Sequence, residues 1–400
     1  MGVAAADDAT AGDRGLDSLF AKHGDMVSKL LGSLKQQNLP VGEGTGYDDI
    51  WALRFCLSNE SDEDALKNAT ETLRWREENK EILDAAAEGT SLDRFAPLEK
   101  LVITDYHGYT TAGAPLFVVR AGISNAPAMM DAYKQVQVVE FMMYRKEIGF
   151  LLCDSITRKT RILTKLVTVN DFNHVSLVAG TDSRFSKVLG AVSKKSEIVY
   201  PQLLDRAVLI NAPYVFSAMW GLVKGLLSKK TRSKISVCAT SDTRTEDISK
   251  CPFAKFLNLE TLPSFLGGKC RCAGGCLCGV SNEQTQPVGV RSEDGMTKAY
   301  IPPRDSLKVY MDCKAGDQVL CVVHVGENKG IEISAAVKSS GEKNNTVPTT
   351  LIQKFKHKTG TNWEQLLTIP TSGTLVLDLN NEYSLLNSKK VEYRVDAVGG

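Results

Sequence analysis

Neither basic nor acidic residues are in excess in this chain, and histidine is scarce. Its 400 residues hold 48 basic and 47 acidic side chains, a formal net charge of +1, and 5 histidines. That balance excludes a global polycation and with it a nucleic-acid partner, so any anion recognition is local. Ten cysteines are too sparse for a disulfide scaffold and predict reduced thiols in a cytoplasmic setting. The longest charge-free stretch, Ala207 to Val223, is interrupted by Asn211, Pro213 and Tyr214, whereas a membrane span needs about 20 apolar residues. The opening MGVAAADDATAGDRG is acidic and has no apolar segment, so no secretory signal is expected, and Ala6 stands where myristoylation at Gly2 wants Ser or Thr. Enzyme signatures are missing too. There is no G-x-S-x-G elbow, Walker loop or H-E-x-x-H, and Cys153 to Arg158 is one residue short of a phosphatase loop. No catalytic residues are expected.

What is present is organised around Tyr200 to Ala239. Ala207 to Ile210 is a short apolar run suited to a strand buried on both faces of a parallel sheet. Phe216, Met219, Trp220, Val223, Leu226 and Leu227 then recur at steps of three and four, an apolar stripe along a helix. Lys224, Lys229, Lys230, Arg232 and Lys234 cluster at and past the helix end, and Ile235 to Ala239 starts a second strand. The unit is a βαβ crossover. Its helix is either ordinary core or the roof of a cavity with a basic rim at the mouth.

The flanking segments fit an α/β protein. Leu16, Leu19, Phe20, Met26, Val27, Leu30, Leu31 and Leu34 predict an amphipathic helix over about 14 to 36, packed on the body of the protein because its polar face carries mixed charge, with an interfacial membrane helix as the alternative. GEGTG at 42 to 46 follows no strand, which excludes a phosphate loop and marks a linker. Residues 47 to 79 read as two helices parted near Ser58 to Ser61, with Ser61 capping the second. A strand is expected at Leu116 to Arg120, a helix at 128 to 153 buried through Met130, Tyr133, Val136, Val139 and Met143, a strand at Arg161 to Val169, and a helix at Phe185 to Val199.

YPQLLDRAVLINAP, the apolar helix and KGLLSKKTRSKI together resemble the heart of the CRAL-TRIO lipid-binding family, which includes the yeast-type phosphatidylinositol transfer proteins. Leu53, Arg54 and Phe55 match its LRF motif, Trp75 and Arg76 its WR pair, and Leu262, Pro263, Gly267 and Gly268 its LP-x-x-x-GG ending. Ala114 replaces an arginine of the D-x-x-G-R-P-V pattern, and the second arginine of the N-terminal motif is missing near Leu57 or Ser58. The resemblance implies a helical lobe, a sheet, and one lipid held in an apolar pocket closed by a movable helix. It also implies headgroup residues: Thr231 and Lys234 at the inositol phosphate, with Gln202 at a glutamate position and Thr110 at an aspartate position, Tyr106 and Phe117 at the phospholipid headgroup, and Ser176 at phosphocholine. The two aromatics also suit plain core packing. Phe216, Met219, Trp220, Val223 and Leu227 become the gate, and Lys229, Lys230 and Arg232 the basic rim.

Cys270, Cys272, Cys276 and Cys278 offer four thiolates. Adjacent C-x-C pairs chelate with more strain than C-x-x-C, so the spacing counts against zinc and no metal is expected; the alternative is a reduced or redox-labile loop. Beyond residue 300 the apolar period changes to two, at Leu307, Val309 and Met311, at Val319, Cys321, Val323 and Val325, and at Leu375, Leu377 and Leu379. That alternation predicts an antiparallel sandwich. Residues 373 to 395 resemble the closing strands of a GOLD domain, as in the patellin-like arrangement. The expected organisation is an N-terminal segment (1–46), a helical lobe (47–95), a CRAL-TRIO α/β domain (96–280), a linker (281–300) and an all-β GOLD-like sandwich (301–400). The expected function is binding of a membrane phospholipid, phosphatidylinositol or phosphatidylcholine, and its transfer or presentation between membranes. The ligand is the lipid itself, with no cofactor; the partners are a transient membrane surface and a protein at the GOLD domain. The alternative is a phosphoinositide-sensing trafficking adaptor that exchanges no lipid.

Overall fold

The computed structural model describes residues 14–173, 182–212, 224–239, 251, 253–273, 275–277, 280–282, 290, 291, 296–301, 303–326, 330–339, 348–358, 360, 362–385, 387 and 389–398. The chain divides into two compact units, residues 1–121 with 129–282, and residues 122–128 with 283–400.

The first unit begins with α1 (Leu16–Gln36), whose Leu16, Leu19, Val27, Leu30 and Leu34 are buried. That apolar side faces the lobe helices α2 (Asp49–Cys56) and α3 (Asp62–Glu78). Asp48 accepts from the Trp51 amide at 3.2 Å and Ser61 from the Asp64 amide at 3.1 Å, so both helices start on a side-chain cap, each worth about 1 kcal/mol. The lobe closes with α4 (Lys80–Glu88), stopped by left-handed Gly89, and the short α5 (Ala96–Glu99). A five-stranded sheet follows in the order β1 (Thr104–Tyr109), β2 (Pro115–Arg120), β3 (Leu166–Asp171), β4 (Leu204–Ala212), β5 (Ile235–Ala239). β1 is antiparallel to β2, and the other neighbours are parallel. The parallel β4–β5 pairing is the one expected of the βαβ unit; Pro213 to Val223, which hold most of its expected helix, lie outside the described residues.

Two element boundaries differ from the sequence reading. The single helix expected at 128 to 153 is α6 (Ala126–Ala132) followed by α7 (Gln135–Thr160), broken at Lys134. The break resets the helical phase, so Val136 is 69% exposed while Val138, Phe141, Tyr144 and Phe150 are buried. The strand expected from Arg161 starts at Leu166, because Arg161 takes the left-handed conformation (φ 60°) that ends α7. The helix α8 (Ser183–Val199) starts on Asp182, which caps the Arg184 amide at 2.8 Å. The expectation of reduced cysteines also needs correction, since Cys238 at the end of β5 is disulfide-bonded to Cys251.

The second unit is a sandwich of two antiparallel sheets. One is ordered β11 (Thr349–His357), β10 (Ile331–Ser339), β13 (Gly373–Asn380), β8 (Ser306–Cys313); the other β12 (Asn362–Thr368), β9 (Gln318–Val325), β14 (Lys389–Ala397), β7 (Thr297–Ile301), β6 (Val290–Arg291). Two of its strands, β6 and β7, arise inside the stretch expected to be a linker. The alternating residues build its core: Val319, Cys321, Val323, Leu375, Leu377 and Leu379 are all fully buried. Asn381 and Ser384 lie between β13 and β14. The Asn381 amide donates to the carbonyls of Ile301 (3.1 Å) and Asn387 (3.0 Å), which fixes the approach to the last strand.

Candidate functional site

The two faces of the five-stranded sheet are not equally closed. Val118, Val169 and Val208 share one face and are at most 1% exposed. On the other face, Phe117, Thr168, Ala207 and Ile235 form one row, and Val119, Asn170, Leu209 and Val237 the next. Phe117, Val119, Asn170, Ala207 and Ile235 are half-buried and Val237 is 44% exposed, while Thr168 and Leu209 at the middle of the rows are buried at 7% each. Strand residues of this type normally drive a core shut. Here they leave a largely apolar floor accessible, with polar groups gathered at two ends of it.

At the β1–β2 end, Tyr106 and Phe117 stack with ring centroids 4.8 Å apart. The Tyr106 hydroxyl donates to the Arg145 carbonyl of α7. A Cβ at Gly149 would lie 2.6 Å from that hydroxyl oxygen, so glycine at this helix position admits the ring. Burial pushes the Tyr106 phenol well up, so it stays a neutral donor. Arg145 lies 5.5 and 5.8 Å from the two ring centroids and donates to the Thr104 carbonyl (3.0 Å) and to Asp105 (3.1 Å). Lys146 Nζ sits 6.0 Å above the Phe117 ring, and burial lowers its pKa. Among the described residues it has no carboxylate partner. The sequence reading missed Lys146; the available signal was its helical spacing from Val139 and Met142, which puts a lysine on an otherwise apolar stripe. Ser176 lies outside the described residues.

At the amino ends of β3, β4 and β5, cations gather. Lys234, immediately before β5, donates to the Leu204 carbonyl at the start of β4. Thr231 lies in the short helix α9 (Lys229–Ser233), where Ser228 caps its amide at 3.0 Å and its hydroxyl donates to Glu197. Gln202, in a left-handed conformation (φ 61°), donates to the Leu57 carbonyl (2.9 Å) and the Ser58 hydroxyl (3.0 Å). Lys230 reaches the Ser58 carbonyl at 3.0 Å. Gln202 and Lys230 thus meet at the position where the second motif arginine is missing. Burial and then Lys230 lower the pKa of Lys234. Lys165, just before β3, is lowered to about 8, mainly by burial and then by the charges of Arg14 and Lys234. Asp205 balances part of this charge through a 2.7 Å pair with Arg14. Arg14, Lys165 and Glu197 are additions to the sequence reading. Lys229 and Arg232 are exposed and form no ion pair among the described residues.

The two ends are separate. β2 and β5 stand three strand spacings apart, about 14 Å, so Tyr106 and Phe117 do not join Thr231 and Lys234 in one subsite. Thr110 belongs to neither end, because its hydroxyl accepts the Ala114 amide at 3.0 Å in the β1–β2 turn. Of the gate residues, Phe216, Met219, Trp220 and Val223 lie outside the described residues, and Leu227 is half-buried. Its neighbour Leu226 lands on α8: a Cβ at Gly190 would be 2.9 Å from Leu226 Cβ. Cys153 is fully buried and its thiol is pushed up to about 12, which removes it as a nucleophile. Cys270, Cys272 and Cys276 converge, but with His107 of β1; Cys278 lies outside the described residues.

Residues 100–268, which hold the five-stranded sheet and its connecting helices, match the CRAL/TRIO domain. The chain carries a CRAL/TRIO domain. Its curated relatives include phosphatidylinositol/phosphatidylcholine transfer protein SFH9 of Arabidopsis thaliana, 28% identical over 270 residues, which cover 63% of this chain and 43% of that protein. Protein real-time of Anopheles gambiae is 23% identical over 316 residues, 76% of this chain and 44% of that protein. The Sec14 cytosolic factor of Schizosaccharomyces pombe is 24% identical over 249 residues, 62% of this chain and 83% of that protein. The chain spans about half or less of the length of the Arabidopsis relatives it matches. No helix among the described residues is long and apolar enough to cross a membrane.

Proposed function

We propose that this chain binds a membrane phospholipid, phosphatidylinositol or phosphatidylcholine, on the accessible face of the CRAL/TRIO sheet and transfers or presents it between membranes. The observation that carries the reading is the half-open apolar floor with unlike polar groups at its two ends. Acyl chains of about thirty methylenes in total represent a burial term of order 20 kcal/mol, at roughly 0.8 kcal/mol each. The bilayer supplies the same term, so a carrier needs an equally apolar floor and draws selectivity from a few polar groups. Tyr106, Phe117 and Lys146 suit one headgroup. Thr231, Lys234, Lys165 and Gln202 suit a more highly charged one, with cations for the phosphate and an amide for a ring hydroxyl. The names of the Arabidopsis relatives, which pair phosphatidylinositol with phosphatidylcholine, support a two-headgroup reading, and the name of the Sec14 cytosolic factor supports a cytoplasmic protein.

The test is mass spectrometry of lipid co-purifying with the full chain, together with transfer of labelled lipid between liposomes. Phospholipid in the purified protein and transfer above the spontaneous rate support the proposal; neither lipid nor transfer overturns it. The exposed Lys229 and Arg232 favour a second reading, an adaptor that senses anionic membranes without exchange. Liposome binding lost on neutralising Lys229, Lys230 and Arg232, in a chain that holds and moves no lipid, would establish it instead.

A further inference from the structure

The loop that closes the CRAL/TRIO domain, GGKCRCAGGCLCGVSN over 267 to 282, is poor in the apolar residues that hold a loop in place; of its described residues only Cys276 and Leu277 are buried. Yet its course is specified. Gly275 adopts φ 102°, and a Cβ there would lie 1.9 Å from the Val280 carbonyl oxygen, so glycine is required for the tight turn into Cys276. The turn brings three thiols toward β1. His107 Nε2 is 3.3 Å from Cys270 Sγ, Cys270 Sγ is 3.5 Å from Cys272 Sγ, and these atoms with Cys276 Sγ all lie within 4.8 Å of one another.

We propose that His107, Cys270, Cys272 and Cys276 form a structural zinc site. A tetrahedral ion with Zn–S bonds of about 2.3 Å places its ligands about 3.8 Å apart, and the observed separations bracket that edge. Three thiolates and an imidazole are the soft set that selects zinc over calcium or magnesium. The outer contacts also suit a site. Asn282 Nδ2 donates to Cys276 Sγ at 3.2 Å while its Oδ1 accepts the Cys276 amide at 3.0 Å, and the same side chain reaches Ser264 Oγ at 3.0 Å. Such second contacts orient a thiolate ligand. The C-x-C strain that argues against four loop cysteines is lessened when the fourth ligand comes from another strand. Binding displaces the thiol protons to solvent, and the ion ties the closing loop to β1, one residue from Tyr106.

The experiment is metal analysis of the full chain, purified reduced under anaerobic conditions and reconstituted with zinc or cobalt. One zinc per chain after removal of excess, released by a mercurial thiol reagent, and intense visible d–d bands from tetrahedral cobalt are expected. Cys272→Ser, at an exposed position, and His107→Asn should each weaken zinc retention at least about tenfold, while Cys278→Ser retains the ion. No metal in the reconstituted wild-type chain overturns the site. So does a site that survives both His107→Asn and Cys272→Ser, or one that needs Cys278 in place of His107. Because wild-type reconstitution is read directly, a variant that fails to fold does not shield the proposal.

Discussion

Arg76 and Glu147 meet as a two-point ion pair across 71 residues of sequence, Nη1 and Nη2 donating to the two carboxylate oxygens at 2.9 and 2.6 Å. Arg76 lies in the last turn of α3 and Glu147 in the middle of α7, so the pair joins the helical lobe to the helix beside the sheet. Both side chains are removed from water, with exposures of 10% and 1%. The guanidinium also donates to the Tyr47 hydroxyl (3.1 Å) and lies over the Tyr47 and Phe150 rings at 5.5 and 5.8 Å. A buried pair of this kind adds little net stability against a hydrophobic replacement, but losing one partner strands the other. Arg76→Met is therefore expected to lower stability by about 3–5 kcal/mol in denaturant unfolding, and Arg76→Met with Glu147→Met by clearly less than the sum of the two single changes.

The Cys238–Cys251 disulfide closes a loop with a sequence separation of 13. In the chain-entropy account a loop of this size is worth up to about 3 kcal/mol. Unfolding with and without reductant is expected to differ by that order in the wild-type chain and to coincide in Cys251→Ser. Equal stability in both conditions for the wild-type chain would show that the bond does not constrain the unfolded state.

Much of this architecture was legible because local pattern and tertiary role agree. The parallel β4–β5 pair shows as two short apolar runs, and the sandwich as alternation at Val319 to Val325 and Leu375 to Leu379. Local pattern misleads where one backbone conformation resets the phase. Lys134 breaks the helix, so extrapolation from Met130 puts Val136 inside when Val138 is the buried residue. Arg161, left-handed at the end of α7, delays β3 to Leu166. The site residues divide in the same way. Thr231, Lys234 and Tyr106 are reached through motif resemblance, whereas His107 is 163 residues from Cys270 and Lys165 is one lysine among many. Only the sheet register and the return of the closing loop bring those partners together.

Lys165 gives the basic end a pH dependence whose sign follows from its environment. Its ammonium is held at a pKa of about 8, below the ordinary 10.5 of a free lysine, by burial and by Arg14 and Lys234. Between those values the unfolded chain binds more protons, so the stability of the lipid-free protein rises as pH increases from about 8 toward 10.5; below 8 the full penalty is present. An anionic headgroup reverses the preference by favouring the ammonium. Above pH 8 binding then requires proton uptake, and affinity for phosphatidylinositol liposomes is expected to fall by up to about tenfold per pH unit. Lys165→Met should flatten that fall. A slope unchanged in the variant would place the titrating group elsewhere.

At the other end, Lys146 is expected to set which headgroup charge is accepted. Its ammonium lies over Phe117 without a carboxylate partner among the described residues, so a lipid phosphate would supply the missing counter-charge. Lys146→Met keeps the length and the apolar stem, removes the charge, and relieves the cost of burying it, so the protein should be at least as stable as wild type. Its bound lipid should shift from phospholipid toward neutral lipid in the mass spectrum. A wild-type lipid profile in Lys146→Met would mean that the stacked Tyr106 and Phe117 select the headgroup without that cation.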